Sequence, residues 1–453
     1  MSKVKTLYIC QNCGANSPKW IGNCPACHQW NTYVEEVVIS KTGSNIQQVK
    51  LAYETKPINI NQIEISEEAR INTENNEFNR VLGGGMVPGS IILIGGEPGI
   101  GKSTLALQIA LTISAKTLYI SGEESLQQIK LRANRLENKK NVCDIYCETS
   151  IEKILLTLTQ NPPEFIVIDS IQTMQTDKVE SSPGTVTQIK ECTNMLIQFC
   201  KPKAIPVVLI GHINKEGNLA GPKILEHMVD TVLLFEGDRN FIYRILRSAK
   251  NRFGSTSEIG IFEMRQNGLL EVNNPSELLL SQRDTEISGV SIAASIEGIR
   301  PFLIEIQALV STAAYGIPQR SATGFDLRRL NMLLAVLEKR AGFRLAQKDV
   351  FLNIAGGIKV NDPAIDMAVI ASVLASNHDI AIPKNCCFAA EIGLTGEIRP
   401  VTRIDQRITE AEKLGFTQIY ISKYNTTAIS NKSNLIKIIP ISRIEQLIAK
   451  LFS

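Results

Sequence analysis

Short apolar runs recur through the middle of the chain, at Ile91–Ile94, Thr117–Ile120, Phe165–Ile168, Val207–Ile210 and Thr231–Phe235. They are rich in β-branched side chains and bounded by turn-forming residues, the pattern of buried strands. Helix-like stretches lie between them, such as the one opening at Thr104-Leu-Ala-Leu-Gln-Ile-Ala. Strands apolar on both faces and alternating with helices predict a mostly parallel sheet with helices on both sides. The pattern holds from about Ile63 to Leu270, with a further strand at Phe241–Leu246. Polarity returns around Pro275–Thr285, a hinge, and a second α/β region follows. There Phe302–Val310 reads as a strand, and Leu327–Arg340 and Ile404–Leu414 as helices. Upstream, Ser40-Lys-Thr-Gly-Ser-Asn is polar and turn-prone, so residues 36–60 read as a linker. The expected organisation is a small module at 1–35, the linker, one α/β domain at 61–280 and another at 281–453.

Composition changes this picture little. The 453 residues exceed what one core of about 250–300 residues holds, so several domains are expected. With 44% hydrophobic and 21% charged residues, the chain is an ordinary globular protein. A net charge of +3 does not mark the whole surface as basic, so any nucleic-acid contact rests on local patches. No run approaches the roughly 18 apolar residues of a membrane helix, and the first residues carry no apolar secretory stretch. The expected location is the cytoplasm, without membrane association. In that reducing compartment the ten cysteines read as a metal site plus buried thiols.

Four of those cysteines form two knuckles, Cys10-Gln-Asn-Cys13 and Cys24-Pro-Ala-Cys27, ten residues apart. Each knuckle converges two thiolates, and two knuckles close a tetrahedral S4 shell that suits Zn²⁺. A redox pair or free thiols is the alternative. Four sulfurs complete the shell, so His28 is expected to be a bystander, and the metal serves structure and recognition rather than catalysis. Trp20 and Trp30, the only tryptophans of the chain, lie in the same module.

After the run Ile91–Ile94 comes Gly96-Glu97-Pro98-Gly99-Ile100-Gly101-Lys102-Ser103-Thr104, followed by a helix. This is a phosphate-binding loop in its proper strand-loop-helix setting. Its glycines let backbone N–H groups curl around phosphate. Lys102 reaches the β- and γ-phosphates of ATP, and Ser103 a Mg²⁺ ion. Asp169 ends the run Phe165–Ile168, the expected place of a carboxylate on the Mg²⁺ side. In Tyr119-Ile-Ser-Gly-Glu123-Glu124 a strand ends on two adjacent carboxylates. One of them orients the attacking water if the chain hydrolyses ATP; a solvated acidic loop is the other reading.

Taken together, these residues resemble the bacterial RadA (Sms) family of RecA-like repair ATPases. The resemblance covers nearly the whole chain. It includes both knuckles, Leu82-Gly-Gly-Gly-Met-Val-Pro-Gly before the phosphate loop, Ile120-Ser-Gly-Glu-Glu-Ser and Asp169-Ser-Ile-Gln-Thr. Lys250-Asn-Arg-Phe-Gly254 is its most specific part. The resemblance implies a zinc ribbon, a RecA-like core and a Lon-protease-like domain behind. It implies Glu123 as catalytic glutamate, Asp169 as the Walker B aspartate and His212 as a γ-phosphate sensor. Lys250 and Arg252 would act across a subunit interface on a neighbour's ATP. Asn214 stands where a threonine is expected. The segments Thr176–Thr185 and Asn214–Lys223 would face the channel of a homohexameric ring. Lys178, Lys215 and Lys223 there, with Lys190 just beyond the first segment, would touch the backbone of single-stranded or branched DNA. A RecA-type recombinase is the implied partner.

In the last region, Gly356-Gly-Ile-Lys-Val-Asn-Asp-Pro-Ala-Ile-Asp366 and Glu391-Ile-Gly-Leu-Thr-Gly-Glu-Ile-Arg-Pro400 resemble the Lon protease domain. The serine nucleophile falls on Ala364 and the lysine base on Asp405, so no protease activity is expected. Arg328, Arg329, Lys339, Arg340, Arg344 and Lys348 form either a DNA-facing basic surface or an ordinary solvated helix face. A KaiC-like signalling ATPase shares the glycine-rich approach to the loop. That group usually carries two ATPase copies, and this chain has one.

Overall fold

The computed structural model describes residues 4–11, 13–39, 59, 70–136, 143–212, 223–237, 242–280, 287–313, 318–357, 359–429 and 435–452. They belong to two units. One comprises Met1–Glu236, Arg244–Thr256 and Phe262–Glu271; the other comprises Gly237–Tyr243, Ser257–Ile261 and Val272–Ser453.

In the first unit, β1 (Val4–Cys10) pairs antiparallel with β2 (Asn16–Ser17) and β3 (Tyr33–Ile39). So small a sheet buries little: its core is Cys10, Cys24 and Tyr33, with Tyr8 and Ala15 against them. The larger sheet holds β4 (Ile91–Gly96), β5 (Thr117–Ser121), β6 (Cys143–Cys147), β7 (Phe165–Asp169), β8 (Val207–Ile210) and β9 (Thr231–Glu236). It is completed by β10 (Tyr243–Asn251), β11 (Ile259–Arg265) and β12 (Gly268–Glu271). Their spatial order is β12-β11-β10-β9-β4-β8-β7-β5-β6. The block from β9 through β6 is parallel, and β10 pairs antiparallel with β9.

Every residue of β4, β5, β7 and β8 is buried, because helices cover both faces. On one face Ile92, Ile94, Tyr119, Val167, Val208 and Ile210 pack with α1 (Asn76–Leu82), α2 (Lys102–Thr112) and α3 (Leu126–Arg135). On the other, Ile91, Leu93, Ile120, Ile168 and Leu209 pack with α4 (Ile151–Gln160), α5 (Val186–Cys200) and α6 (Lys223–Met228).

The expected parallel sheet is present; β11 and β12 were not among the expected strands, and two further details differ from the reading of the sequence. The strand expected at Phe241–Leu246 runs over Tyr243–Asn251, so Lys250 lies inside it rather than beyond it. Its polar Arg247, Ser248 and Lys250 hide the strand from a hydropathy reading. The strand Cys143–Cys147 was not foreseen. It is an edge strand with a partly exposed face, so its sequence Cys-Asp-Ile-Tyr-Cys carries no continuous apolar run.

In the long stretch of the second unit, Val272–Ser453, the first helix is α7 (Pro275–Leu279). Its sheet uses β13 (Val290–Glu297), β14 (Arg300–Thr312), β15 (Arg320–Thr323), β16 (Lys348–Ile354) and β17 (Cys386–Ala389). After the short hairpin of β18 (Glu391–Ile392) and β19 (Ile398–Arg399) come β20 (Gln418–Ser422) and β21 (Lys437–Ile441). The order is β15-β16-β14-β13-β17-β20-β21, with mixed pairing. Four helices accompany the strands of this unit: α7, α8 (Leu327–Ala341), α9 (Asp366–His378) and α10 (Ile404–Lys413), and α11 (Ile444–Phe452) closes it. Leu330, Leu333, Leu334 and Leu337 fall at i, i+3, i+4 and i+7 and are the buried stripe of α8. By contrast, α9 is buried from Asp366 to Ala375, so it is a core helix.

Candidate functional site

The phosphate loop follows from where β4 must end. Gly96 closes the strand, and a Cβ there would sit 2.7 Å from the Phe235 carbonyl oxygen. Gly101 has φ +115°, and a Cβ on it would meet Met264 Cε at 2.6 Å. The chain therefore turns tightly into α2 without side chains in the way. No side chain caps α2, so its first N–H groups stay free for a ligand. Lys102 is buried, and its Nζ donates to the carbonyls of Gly96 at 2.7 Å and Glu97 at 2.9 Å. Burial lowers its pKa to about 8, against the opposing pull of the Asp169, Glu123 and Glu97 charges. A buried ammonium folded back over an open helix end suits an arriving anion. Ser103 and Thr104 occupy the first turn of α2, where a hydroxyl can reach a phosphate-bound cation. The donor set thus fits ATP with Mg²⁺.

Facing the loop, β5 and β7 run in register with Ser121 opposite Asp169. Just beyond β5, Gly122 N–H donates to the Asp169 carbonyl at 2.9 Å. A Cβ at Gly122 would lie 2.1 Å from Thr173 Oγ1, so glycine is required for this approach. The two adjacent carboxylates then separate. Glu124 is held by Arg132 of α3. Glu123 Oε1 accepts from Ser170 Oγ and lies 3.3 Å from His212 Nε2. The His212 hydrogen bond foremost, outweighing burial and helped by Ser170 and the Lys102 charge, brings Glu123 down to about 2. Glu123 is thus a charged acceptor at the open end of the sheet. Asp169 accepts from Tyr119 Oη at 2.5 Å. The sequence did not single out Tyr119, Ser170 or Arg132. The only local sign was a tyrosine between Leu118 and Ile120 in a buried strand.

Lys250 and Arg252 lie at the other end of the sheet. Lys250 pairs with Val232 and Asn251 with Thr231, which itself faces Ile92, whereas Gly96 of the phosphate loop faces Phe235. Lys250 Nζ donates to the carbonyls of Glu226 at 2.6 Å and Val229 at 2.8 Å, at the end of α6. Burial, then the nearby Arg252 charge, lower its pKa. Arg252 Nη1 lies 3.2 Å from Asp230 Oδ1, which Lys201 Nζ also reaches at 2.8 Å. The loop ahead is tied to the Leu82–Gly85 turn by Arg70, which donates to Phe253 O at 2.6 Å and Leu82 O at 2.9 Å. The two glycine-containing motifs, distant in sequence, therefore meet.

Of the two loops expected to face a channel, Thr176–Thr185 is organised by Gln188 of α5. Its Nε2 donates to the carbonyls of Thr176 at 3.2 Å, Val179 at 3.0 Å and Ser181 at 2.8 Å. Lys178 is half-exposed, 3.9 Å from Glu191, and Lys190 is exposed. Asn214 and Lys215 lie outside the described residues, and Lys223 begins α6.

In the ribbon, the ligand atoms of Cys10, Cys13, Cys24 and Cys27 all lie within 4.8 Å of one another. The sulfurs of Cys10 and Cys27 are 3.7 Å apart, and those of Cys13 and Cys24 3.6 Å. Zinc–sulfur bonds of ~2.3 Å in a tetrahedron require sulfurs about 3.8 Å apart, so the cluster fits Zn²⁺. Burial raises the Cys24 pKa, but hydrogen bonds from Tyr33 and from the Cys27 and Ala26 N–H groups prevail and bring it to about 6. His28 is exposed and outside the cluster. Trp20 and Trp30 are 55% and 70% exposed on either side of Gly22. Cys24→Ala is expected to unfold the ribbon and leave the ATP-binding sheet folded, because metal binding is the main source of stability in so small a module. Circular dichroism and zinc analysis check this. Carefully purified protein with less than about a tenth of an equivalent of zinc would refute the assignment.

In the second unit Ala364 is fully buried, and its N–H donates to Asp362 Oδ1 at 3.1 Å. Asp362 is held by Arg407, whose Nη1 reaches Oδ2 at 2.6 Å and Ala294 O at 2.7 Å. A buried, fixed ion pair thus lies beside Ala364. Asp405 stands in the first turn of α10. The basic face needs one correction. Arg329 turns inward onto buried Asp366, with Nε 2.6 Å from Oδ1, and also lies 3.5 Å from Glu391. Its partners lie far along the chain, so helical spacing could not reveal them. Arg328, Lys339, Arg340 and Arg344 remain exposed, and Lys348 is half-buried at the start of β16.

Three stretches match known families: residues 8–35 a rubredoxin metal binding domain, residues 56–218 an AAA domain, and residues 308–425 the subunit ChlI of Mg-chelatase. The chain is 51% identical to the DNA repair protein RadA of Bacillus subtilis (strain 168), over 94% of both chains. It is 50% identical to the DNA repair protein RadA of Listeria monocytogenes serovar 1/2a, also over 94% of both. With the DNA repair protein RadA of Streptococcus pyogenes serotype M6 it shares 46% identity over 100% of both chains. The crystal structure of the RadB recombinase is a remote likeness, with TM-score 0.37 and 19% identity over 45% of this chain and 100% of that one.

Proposed function

The chain belongs to the RadA family, and from that premise we propose that it is a DNA-dependent ATPase of recombinational DNA repair, driving a motor on single-stranded or branched DNA. One observation carries the reading. Glu123, held ionised by His212 and Ser170, stands with Asp169 at the sheet end that also bears buried Lys102. A protein that only held nucleotide would not need a charged acceptor there.

In this reading the loop Gly96–Thr104 and Lys102 hold the β- and γ-phosphates, and Ser103 and Asp169 hold Mg²⁺. An ion held by these two residues would neutralise phosphate charge. Glu123 accepts a hydrogen bond from the attacking water and orients it in line. His212, on the same carboxylate oxygen as Ser170, couples the fate of the γ-phosphate to the segment that follows β8. Lys250 and Arg252 serve the neighbouring subunit of a ring, most simply a hexamer. Lys178, Lys190, Lys215 and Lys223 contact DNA phosphates.

We place the ribbon at 1–35, the ATPase domain at 61–280 and the Lon-like domain at 281–453, with the linker between the first two. The exposed tryptophans give the ribbon a surface for a RecA-type recombinase. The Lon-like domain is a scaffold, since buried Ala364 offers no nucleophile. The protein works in the cytoplasm; among the described residues no helix is long and apolar enough to cross a membrane.

The test is ATP hydrolysis by the full chain with and without DNA. Single-stranded or branched DNA is expected to raise turnover, and added salt to remove the stimulation as phosphate contacts are screened. Turnover that no DNA changes at low salt would discard the DNA-dependent reading.

A further inference from the structure

The hydrogen bond between Tyr119 and Asp169 has a consequence for the metal. The Tyr119 ring is fully buried in the core beneath α2, with Ile94, Leu107, Phe165 and Val167. A phenylalanine would fill that space without burying a hydroxyl, which is costly unless partnered. The hydroxyl has its partner in Asp169 Oδ2, at 2.5 Å. Strand register explains why. Ser121 lies opposite Asp169, and Tyr119, two residues earlier, points to the same face of the sheet. The phenol therefore reaches Asp169 diagonally across one strand pair. One oxygen of the carboxylate is thereby committed to the phenol, and the other is Oδ1.

We propose that Tyr119 is a positioning residue for Mg²⁺: by fixing the rotation of the Asp169 carboxylate, it presents Oδ1 alone to the ion. The proposal rests on Asp169 being the metal-side carboxylate, as proposed above. Without the hydroxyl the carboxylate turns freely, and metal affinity falls by the worth of a hydrogen bond to a charged group, about tenfold or more.

The experiment measures Mn²⁺ binding to the full chain with ADP, by electron paramagnetic resonance, for the unaltered protein, Tyr119→Phe, Asp169→Asn and the double variant. Tyr119→Phe is expected to weaken Mn²⁺ about tenfold and to leave metal-free ADP binding unchanged. The double variant is expected to bind no more weakly than Asp169→Asn, because the phenol acts only through that carboxylate.

If Asp169→Asn weakens Mn²⁺ but Tyr119→Phe changes it by less than about twofold, the positioning role is wrong and the metal-site reading stands. An equal loss of metal-free ADP binding in Tyr119→Phe would make the residue merely structural. If Asp169→Asn itself has no effect, the metal-site reading fails and the proposal with it. Should Tyr119→Phe not fold, 4-fluorophenylalanine placed at position 119 fills nearly the same volume as tyrosine and donates no hydrogen bond to Asp169. Mn²⁺ affinity unchanged by that replacement would equally overturn the role.

Discussion

Lys102→Ala is expected to reduce ATP hydrolysis to background. A single preorganised group that stabilises transition-state charge is worth about 10²–10³ in turnover, and Lys102 carries a full charge in a buried setting. Its Nζ is held within the loop by the Gly96 and Glu97 carbonyls, so it need not be recruited from solvent when phosphate arrives. Alanine removes this charge and leaves the backbone N–H groups of the loop and of α2, so weak nucleotide binding is expected to persist. Those two carbonyls lose their donor as well. A modest fall in the unfolding temperature is therefore expected and must be measured, so that lost activity is not mistaken for lost structure. Near-normal turnover in a folded variant would remove the assignment of the phosphate loop.

The second large effect belongs to Lys250. Cations supplied across an interface to a transferring phosphate are worth about 10³–10⁵ in turnover, and Lys250→Ala is expected to lose activity on that scale while still binding nucleotide. The register supports a partner other than its own site, because Lys250 lies opposite Val232, toward the sheet end remote from Gly96. Three carbonyls, of Glu226, His227 and Val229, anchor the ammonium there. Losing that anchor can also loosen α6, which is a structural effect within one chain. Mixing separates the two. Lys250→Ala keeps an intact phosphate loop, and Lys102→Ala keeps an intact Lys250, so in the proposed ring a mixture would contain some interfaces with both halves. Turnover is expected to return on mixing. If subunits exchange and no ratio restores turnover, the trans-acting role must be given up.

Some of this was decided by the sequence alone. The phosphate loop and the paired knuckles are contiguous motifs whose geometry is set by local backbone freedom and ligand spacing. The parallel sheet was legible because strands buried on both faces must be largely apolar, and β4, β8 and β7 up to Asp169 are. The buried stripe of α8 was legible for the corresponding helical reason.

What only the tertiary structure decided involves partners that no local pattern brings together. Glu123 and Glu124 are equivalent as neighbours in sequence. Arg132 takes one, and His212, from the end of β8, takes the other. Tyr119 reads as one more strand hydrophobe until cross-strand register places its hydroxyl on Asp169. Arg329 reads as surface charge until Asp366, on another helix, draws it inward. Lys250 reads as a loop cation until β10 is seen to extend through it. In each case charge and hydrogen bonding are settled by distances of a few ångströms between residues far apart along the chain. Hydropathy records only whether a side chain favours burial, and is silent on which buried group will meet it.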